Sequence, residues 1–179
     1  VRIDLRQTED MQKRFESMVE TIASDNDVKR YSALVTSQFT LVKENGETEN
    51  INIETGDLSV FPLDYLQGAS PEKENEIALS VLNSKEMEKD VNDTLVFRDR
   101  GMDKKMRVCG IYQDVTNGGR TAKALLAADP QKVLWYTVSL DLLPGIDMAE
   151  KVSRYSSAFH PARVTNIDGY LEQTLGNTI

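Results

Sequence analysis

EIALSVLNSKEMEKDVNDTLVFRDRGMDKKMRVCGIYQDVTNGGRTAK, from Glu76 to Lys123, is the stretch from which the rest of the chain is read. Ile77-Ala78-Leu79-Ser80 starts a short apolar strand that runs into a helix expected over Ser84 to Lys89. Asp93 opens a strand over Thr94 to Arg98, and Asp99-Arg100-Gly101 turns it back into a second, Met106 to Tyr112. Gly101 suits a turn that needs positive φ, and the β-branched and aromatic residues on either side suit strands. The run therefore reads as a compact β-α-β-β unit.

Four pieces of it carry a family likeness: Ala78-Leu79-Ser80, Val91-Asn92-Asp93-Thr94, Val108-Cys109-Gly110-Ile111-Tyr112-Gln113-Asp114 and Asn117-Gly118-Gly119. Through them the chain resembles the extracytoplasmic, MacB-like core domain of FtsX-like ABC-transporter permeases. That family usually has Gly before the Asp-Thr, where this chain has Asn92. Asn is the other residue that tolerates a left-handed turn, so the motif keeps its backbone requirement. These motifs mark a fold and not a chemistry. The resemblance implies a non-catalytic domain without cofactor, on the extracytoplasmic side of a bacterial cell membrane, with membrane helices expected on both sides of the segment. It also implies a cytoplasmic ABC ATPase and a second permease copy or homologue as partners, and an extracytoplasmic protein partner as a further one. The role it implies is to relay ATP-driven motion of the membrane helices to substrate export or to an outside partner.

Composition sets independent bounds. The 179 residues suffice for one large domain or two small lobes, and 40% hydrophobic with 28% charged residues is an ordinary globular balance. A formal net charge of −8 argues against nucleic acid as a partner, which needs a dense basic face. No apolar run approaches the roughly 20 residues of a membrane span. The single cysteine, Cys109, excludes an intrachain disulfide and sits in an apolar strand, where it reads as a small buried hydrophobe.

Outward from the central run, Val1 to Leu5 alternates as a strand, and Thr8 is the expected N-cap of a helix whose apolar stripe is Met11, Phe15, Met18, Val19 and Ile22. Val28 to Lys43 reads as one long strand or two, and Asn45-Gly46 is a strong hairpin signal before a return strand through Ile51 and Ile53. Gly56 to Gly68 reads as irregular. Beyond the central run come a helix-forming stretch over Thr121 to Ala128, a strand over Val133 to Leu142, a helix over Asp147 to Phe159, a brief strand at Arg163-Val164-Thr165 and a last helix over Asp168 to Leu175.

Ile3-Asp4-Leu5 with Asp10-Met11 is echoed 137 residues later by Leu140-Asp141-Leu142 with Asp147-Met148. Two strand-helix-strand units of this kind can share one sheet. The expected fold is therefore α+β in two lobes. Residues 1–70 and 115–179 form a strand-helix-strand, porter-like lobe from both termini, and residues 71–114 form a smaller mixed, β-rich inserted lobe.

Candidate chemistry is sparse. One His and one Cys rule out a His/Cys zinc site by counting, and His160 before Pro161 reads as a helix-end residue. Carboxylates such as Asp4, Asp141 and Asp168 have no spacing that separates an acid–base pair from solvated acids. Asn117-Gly118-Gly119-Arg120 is the one candidate contact point or hinge, and Ala69 to Asn75 a second hinge. Its two glycines expose N–H groups in the manner of an anion cradle, although the Lys-Ser/Thr of a phosphate loop is missing. The reading from a different class is a free secreted or surface-tethered module that binds a peptide or protein.

Overall fold

The computed structural model describes residues 1–114, 119–127 and 129–166. Among these residues the elements follow in the order β1 Arg2–Leu5, α1 Met11–Ala23, β2 Val28–Val42, β3 Thr48–Gly56, β4 Tyr65–Gly68, β5 Glu76–Ser80, α2 Val81–Met87, β6 Thr94–Asp99, β7 Met102–Tyr112, β8 Ala122–Ala124, β9 Val133–Leu142, α3 Met148–Ala158 and β10 Arg163–Thr165. The class is α+β, with a mixed sheet. Contacts divide the chain into two units, Val1–Leu34 with Trp135–Ile179, and Val35–Leu134.

The terminal unit contains two strand-helix-strand segments, β1-α1-β2 and β9-α3-β10, in the strand order β10-β1-β9-β2. This interleaved order is the ferredoxin-like arrangement. Ile3 stands opposite Val138 and Leu5 opposite Tyr136, so alternate positions of β1 and β9 share one apolar face. Phe15 of α1 stacks on Tyr136 at 4.0 Å, which places that helix on the same face. Met18 and Ile22 continue its buried stripe. Trp135 lies on the other face of β9 under the guanidinium of Arg6, 4.3 Å from the ring centroid. Helix α1 starts later than the sequence suggested. Its N-cap is Asp10, in left-handed conformation at φ 53, and not Thr8. Asp147 caps α3 by accepting from the Glu150 N–H at 3.2 Å.

In the second unit the pairings β2–β3, β3–β8, β8–β5, β5–β7, β7–β6 and β6–β2 close a ring of six strands. Each strand sends two residues at i and i+2 into one core: Phe39 and Leu41, Ile51 and Ile53, Ile77 and Leu79, Leu95 and Phe97, Met106 and Val108, Ala122 and Ala124. Closure of this kind leaves few unpaired edges. The short β8 is a strand where the sequence suggested a helix, because Ala122 and Ala124 fill the crowded side of the ring between β3 and β5. The sequence placed the inner boundaries at 70/71 and 114/115, whereas the contacts draw them within β2 and β9 at 34/35 and 134/135. The reason is the ring itself: β5, β6 and β7 cannot close without the β2–β3 hairpin and β8.

Local signals explain the turns. Arg100 and Gly101, at φ 51 and 77, form the two-residue β6–β7 turn. Asn92 adopts φ 79, the left-handed conformation that its place in the motif required. Helix α2 begins at Val81, earlier than expected, because Ser80 caps it by accepting from the Asn83 N–H at 3.2 Å. The stretch expected to be irregular contains β4, which pairs with β7. The helix expected over Asp168 to Leu175 lies outside the described residues.

Candidate functional site

The polar centre of the second unit lies where β5 ends, α2 begins and β7 runs into β8. Ser80 is fully buried and its Oγ accepts from the N–H groups of Asn83 and Thr121, the latter at 3.3 Å. The Thr121 carbonyl in turn accepts from the Ser80 N–H at 3.0 Å and from Asn83 Nδ2 at 2.8 Å. The Thr121 hydroxyl donates to the Asp114 carboxylate and lies 2.7 Å from the Tyr112 hydroxyl. Burial pushes the Tyr112 phenol well above its ordinary range, with the bond to Thr121 only partly opposing it. Beside this knot Lys123 pairs with Glu54. The connection from β7 to β8 is thus tied at its base, Asp114 to Thr121, by groups that satisfy one another.

Of the four positions singled out in the sequence, Gly119 and Arg120 sit at this base, while Asn117 and Gly118 lie outside the described residues. Gly119 adopts φ 77, and a Cβ there would stand 3.3 Å from the Asp114 carbonyl oxygen, so glycine answers both demands. Arg120 forms a bidentate pair with Glu86, at 2.7 Å for Nη2 and 3.0 and 3.1 Å for Nε. That pairing engages the guanidinium, and the chain continues as β8 and not as a helix.

The other candidates are dispersed. Asp4 is opposite Thr137 on β9, from which it accepts at 3.0 Å, and it also pairs with Arg2 at 3.1 Å. Asp141 pairs with Arg30 at 2.7 Å, so the two acids occupy neighbouring strands without converging. Asp168 lies outside the described residues. His160 is exposed at the end of α3. Burial, reinforced by the Glu76 charge, pushes the Cys109 thiol up to about 11, which makes it a poor nucleophile. Among the described residues no group of three or more His, Cys, Asp or Glu could hold a metal ion.

Two further features escaped the sequence reading. One is an ion cluster around the buried Lys151 in the terminal unit: Lys151 Nζ is 2.8 Å from carboxylate oxygens of both Asp25 and Asp27, and Tyr155 donates to Asp25. Lysine in the middle of an amphipathic helix reads as solvated, so the sequence carries no signal for it. The other is a groove of about 720 Å³ floored by Leu41, Met87 and Leu95. Its rim pairs Lys43 with Glu49 at 3.0 Å and Lys89 with Glu44 at 3.8 Å.

No family model and no curated protein matches the chain. Solved structures do. The periplasmic region of MacB from Actinobacillus actinomycetemcomitans superposes with a TM-score of 0.59 at 15% identity, over 99% of this chain and 93% of that one. The extracellular domain of the noncanonic ABC-type transporter YknZ from Gram-positive bacteria gives 0.53 at 11% identity, over 93% and 99%. A domain of a putative permease protein from Porphyromonas gingivalis gives 0.53 at 10%, over 79% and 66%. The chain thus has the fold of these periplasmic and extracellular domains. Among the described residues, no helix is long and apolar enough to cross a membrane.

Proposed function

We propose that this chain is the extracytoplasmic domain of an ABC-transporter permease subunit, and that it catalyses nothing itself. The observation that carries the reading is that the likeness to the MacB and YknZ domains runs over nearly the whole of this chain and of theirs. A second feature agrees with it. Arg2 of β1 pairs with Thr165 of β10, antiparallel, so the start of β1 and the end of β10 lie side by side. A domain held between two membrane helices is suited by that arrangement.

In this reading the ATPase is a cytoplasmic partner, and motion of the membrane helices reaches the domain through β1 and β10. The tied base at Gly119 and Arg120 is the proposed contact point toward a second permease copy or an outside protein. A stiff, fully hydrogen-bonded element transmits displacement where a floppy loop would absorb it. Detergent extraction of the full-length gene product from native membranes tests the assignment, with the co-purifying chains identified by mass spectrometry. An ABC ATPase in stoichiometric amount is expected. A product recovered without detergent and without an ATPase would point to the secreted binding module.

A further inference from the structure

We infer that β4 is a docking edge for an extended, basic and apolar segment of a partner protein, which would add to it as a further strand. This goes beyond the permease reading and does not depend on it. Strand β4 stands at the end of the strand order, and among the described residues it pairs with β7 alone. Its outer backbone edge, irregular only between Tyr65 and Gln67, is therefore open to another strand.

The edge is held firmly. Gly68 and Gly110 let the two backbones approach closely: a Cβ on Gly68 would come 2.9 Å from the Gly110 Cα, and one on Gly110 2.8 Å from Tyr65 Cδ1. Tyr65 then meets Tyr112 edge-on at 5.9 Å, and Ala69 N–H donates to the Cys109 carbonyl at 3.0 Å. What this anchored strand shows to solvent is apolar. Leu66 is 61% exposed and Leu63, just before the strand, 42%, two of the four large hydrophobic residues that stand exposed among the described residues. A rigid edge with outward leucines has the two parts that strand addition uses, backbone groups for affinity and side chains for selection.

Charge selects the occupant. The connection from β3 to β5, which carries β4, holds Asp57, Asp64, Glu72 and Glu74 against Lys73, and all five are exposed. Asp64 directly precedes the strand, and Glu72 and Glu74 follow soon after it. None of these three has an ion-pair partner among the described residues. A second copy would bring the same acids to the same edge and be repelled, whereas a segment alternating basic and apolar residues is complementary in both respects.

The test titrates the 179-residue protein with a fluorescein-labelled octapeptide alternating lysine and valine, capped at both ends. A version with proline at its two central valines serves as control, since proline cannot complete a ladder. Leu66→Lys should weaken binding at least tenfold. Leu143→Lys, the same charge change at a leucine exposed in the other unit, should weaken it less than twofold. The Glu72→Lys, Glu74→Lys pair should also weaken it, with unchanged melting temperature. Equal losses at Leu66 and Leu143, equal binding of the proline peptide, or no saturable binding overturns the proposal. Self-association that Leu66→Lys abolishes overturns it in favour of a second copy.

Discussion

Lys151→Met tests how the terminal unit is held together. In the native unit Lys151 is 4% exposed and its ammonium contacts both Asp25 and Asp27 at 2.8 Å. Burial alone would push the Asp25 carboxyl up. Hydrogen bonds from Lys151, Tyr155 and the Asp27 N–H outweigh it and hold the carboxyl at about 2, against 3.8 ordinarily. A depression of that size corresponds to about 2.5 kcal/mol if wholly realised. Asp27 is 41% exposed and water reaches the cluster, so roughly half of this is expected to survive screening. Methionine keeps the stem's bulk and removes the charge, so the variant should lose about 1–2 kcal/mol at pH 7, or ~2–8 °C in melting temperature. The depressed carboxyl adds stability that is present above its unfolded value near 4 and is lost as pH falls through about 2. The difference between native protein and variant should therefore narrow over that interval. Urea unfolding followed by fluorescence of Trp135, the single tryptophan and a member of the same unit, provides the readout. A variant as stable as the native protein at pH 7, or a difference that stays constant down to pH 2, would refute the reasoning.

Other outcomes follow from the second unit. Gly110→Ala sets a methyl group against the Ala69 carbonyl and the Tyr65 ring and should cost about 1–3 kcal/mol, measured by denaturant unfolding. Thr121→Val removes the hydroxyl joining Tyr112 and Asp114 and should cost about 1–2 kcal/mol, with faster hydrogen exchange at Ser80 and Thr121. Arg120→Ala breaks only an exposed pair with Glu86 and should leave the unfolding midpoint unchanged; if the proposed contact point is right, it should weaken association of the full-length protein with a partner. Cys109 should resist maleimide at pH 7.5 in the folded state and react promptly in denaturant, because it is buried and its thiol lies up near 11.

Much of this architecture is legible in the sequence where a local signal is strong. Gly46, Gly101 and Asn92 each announce a backbone conformation that only a few residues accept, and each adopts it. The apolar, β-branched and aromatic run Val133 to Leu142 marks β9 to the residue. The 137-residue echo marks two strands, β1 and β9, that lie side by side as the inner strands of their sheet. The ring of six strands is not legible, because each of its core pairs is a bare i, i+2 pattern that says nothing about its neighbour. The same limit hides the knot at Ser80, Asn83, Tyr112, Asp114 and Thr121. Its outermost members, Ser80 and Thr121, are 41 positions apart in sequence and meet only once β5, β7 and β8 are paired. Ala122-Lys123-Ala124 misleads for a related reason: alanine favours a helix locally, and the narrow space between β3 and β5 overrides it.

Cysteine labelling in intact cells tests the central claim most directly. Met102, 75% exposed at the start of β7, is replaced by cysteine in the full-length gene product, and cells are treated with a membrane-impermeant maleimide. The buried Cys109 stays silent, and the unsubstituted full-length product serves as the control. An extracytoplasmic permease domain predicts labelling of Met102→Cys without permeabilisation, on a protein that sediments with the membranes. Labelling only after lysis would contradict that placement, and label on a protein released into the medium would contradict the permease.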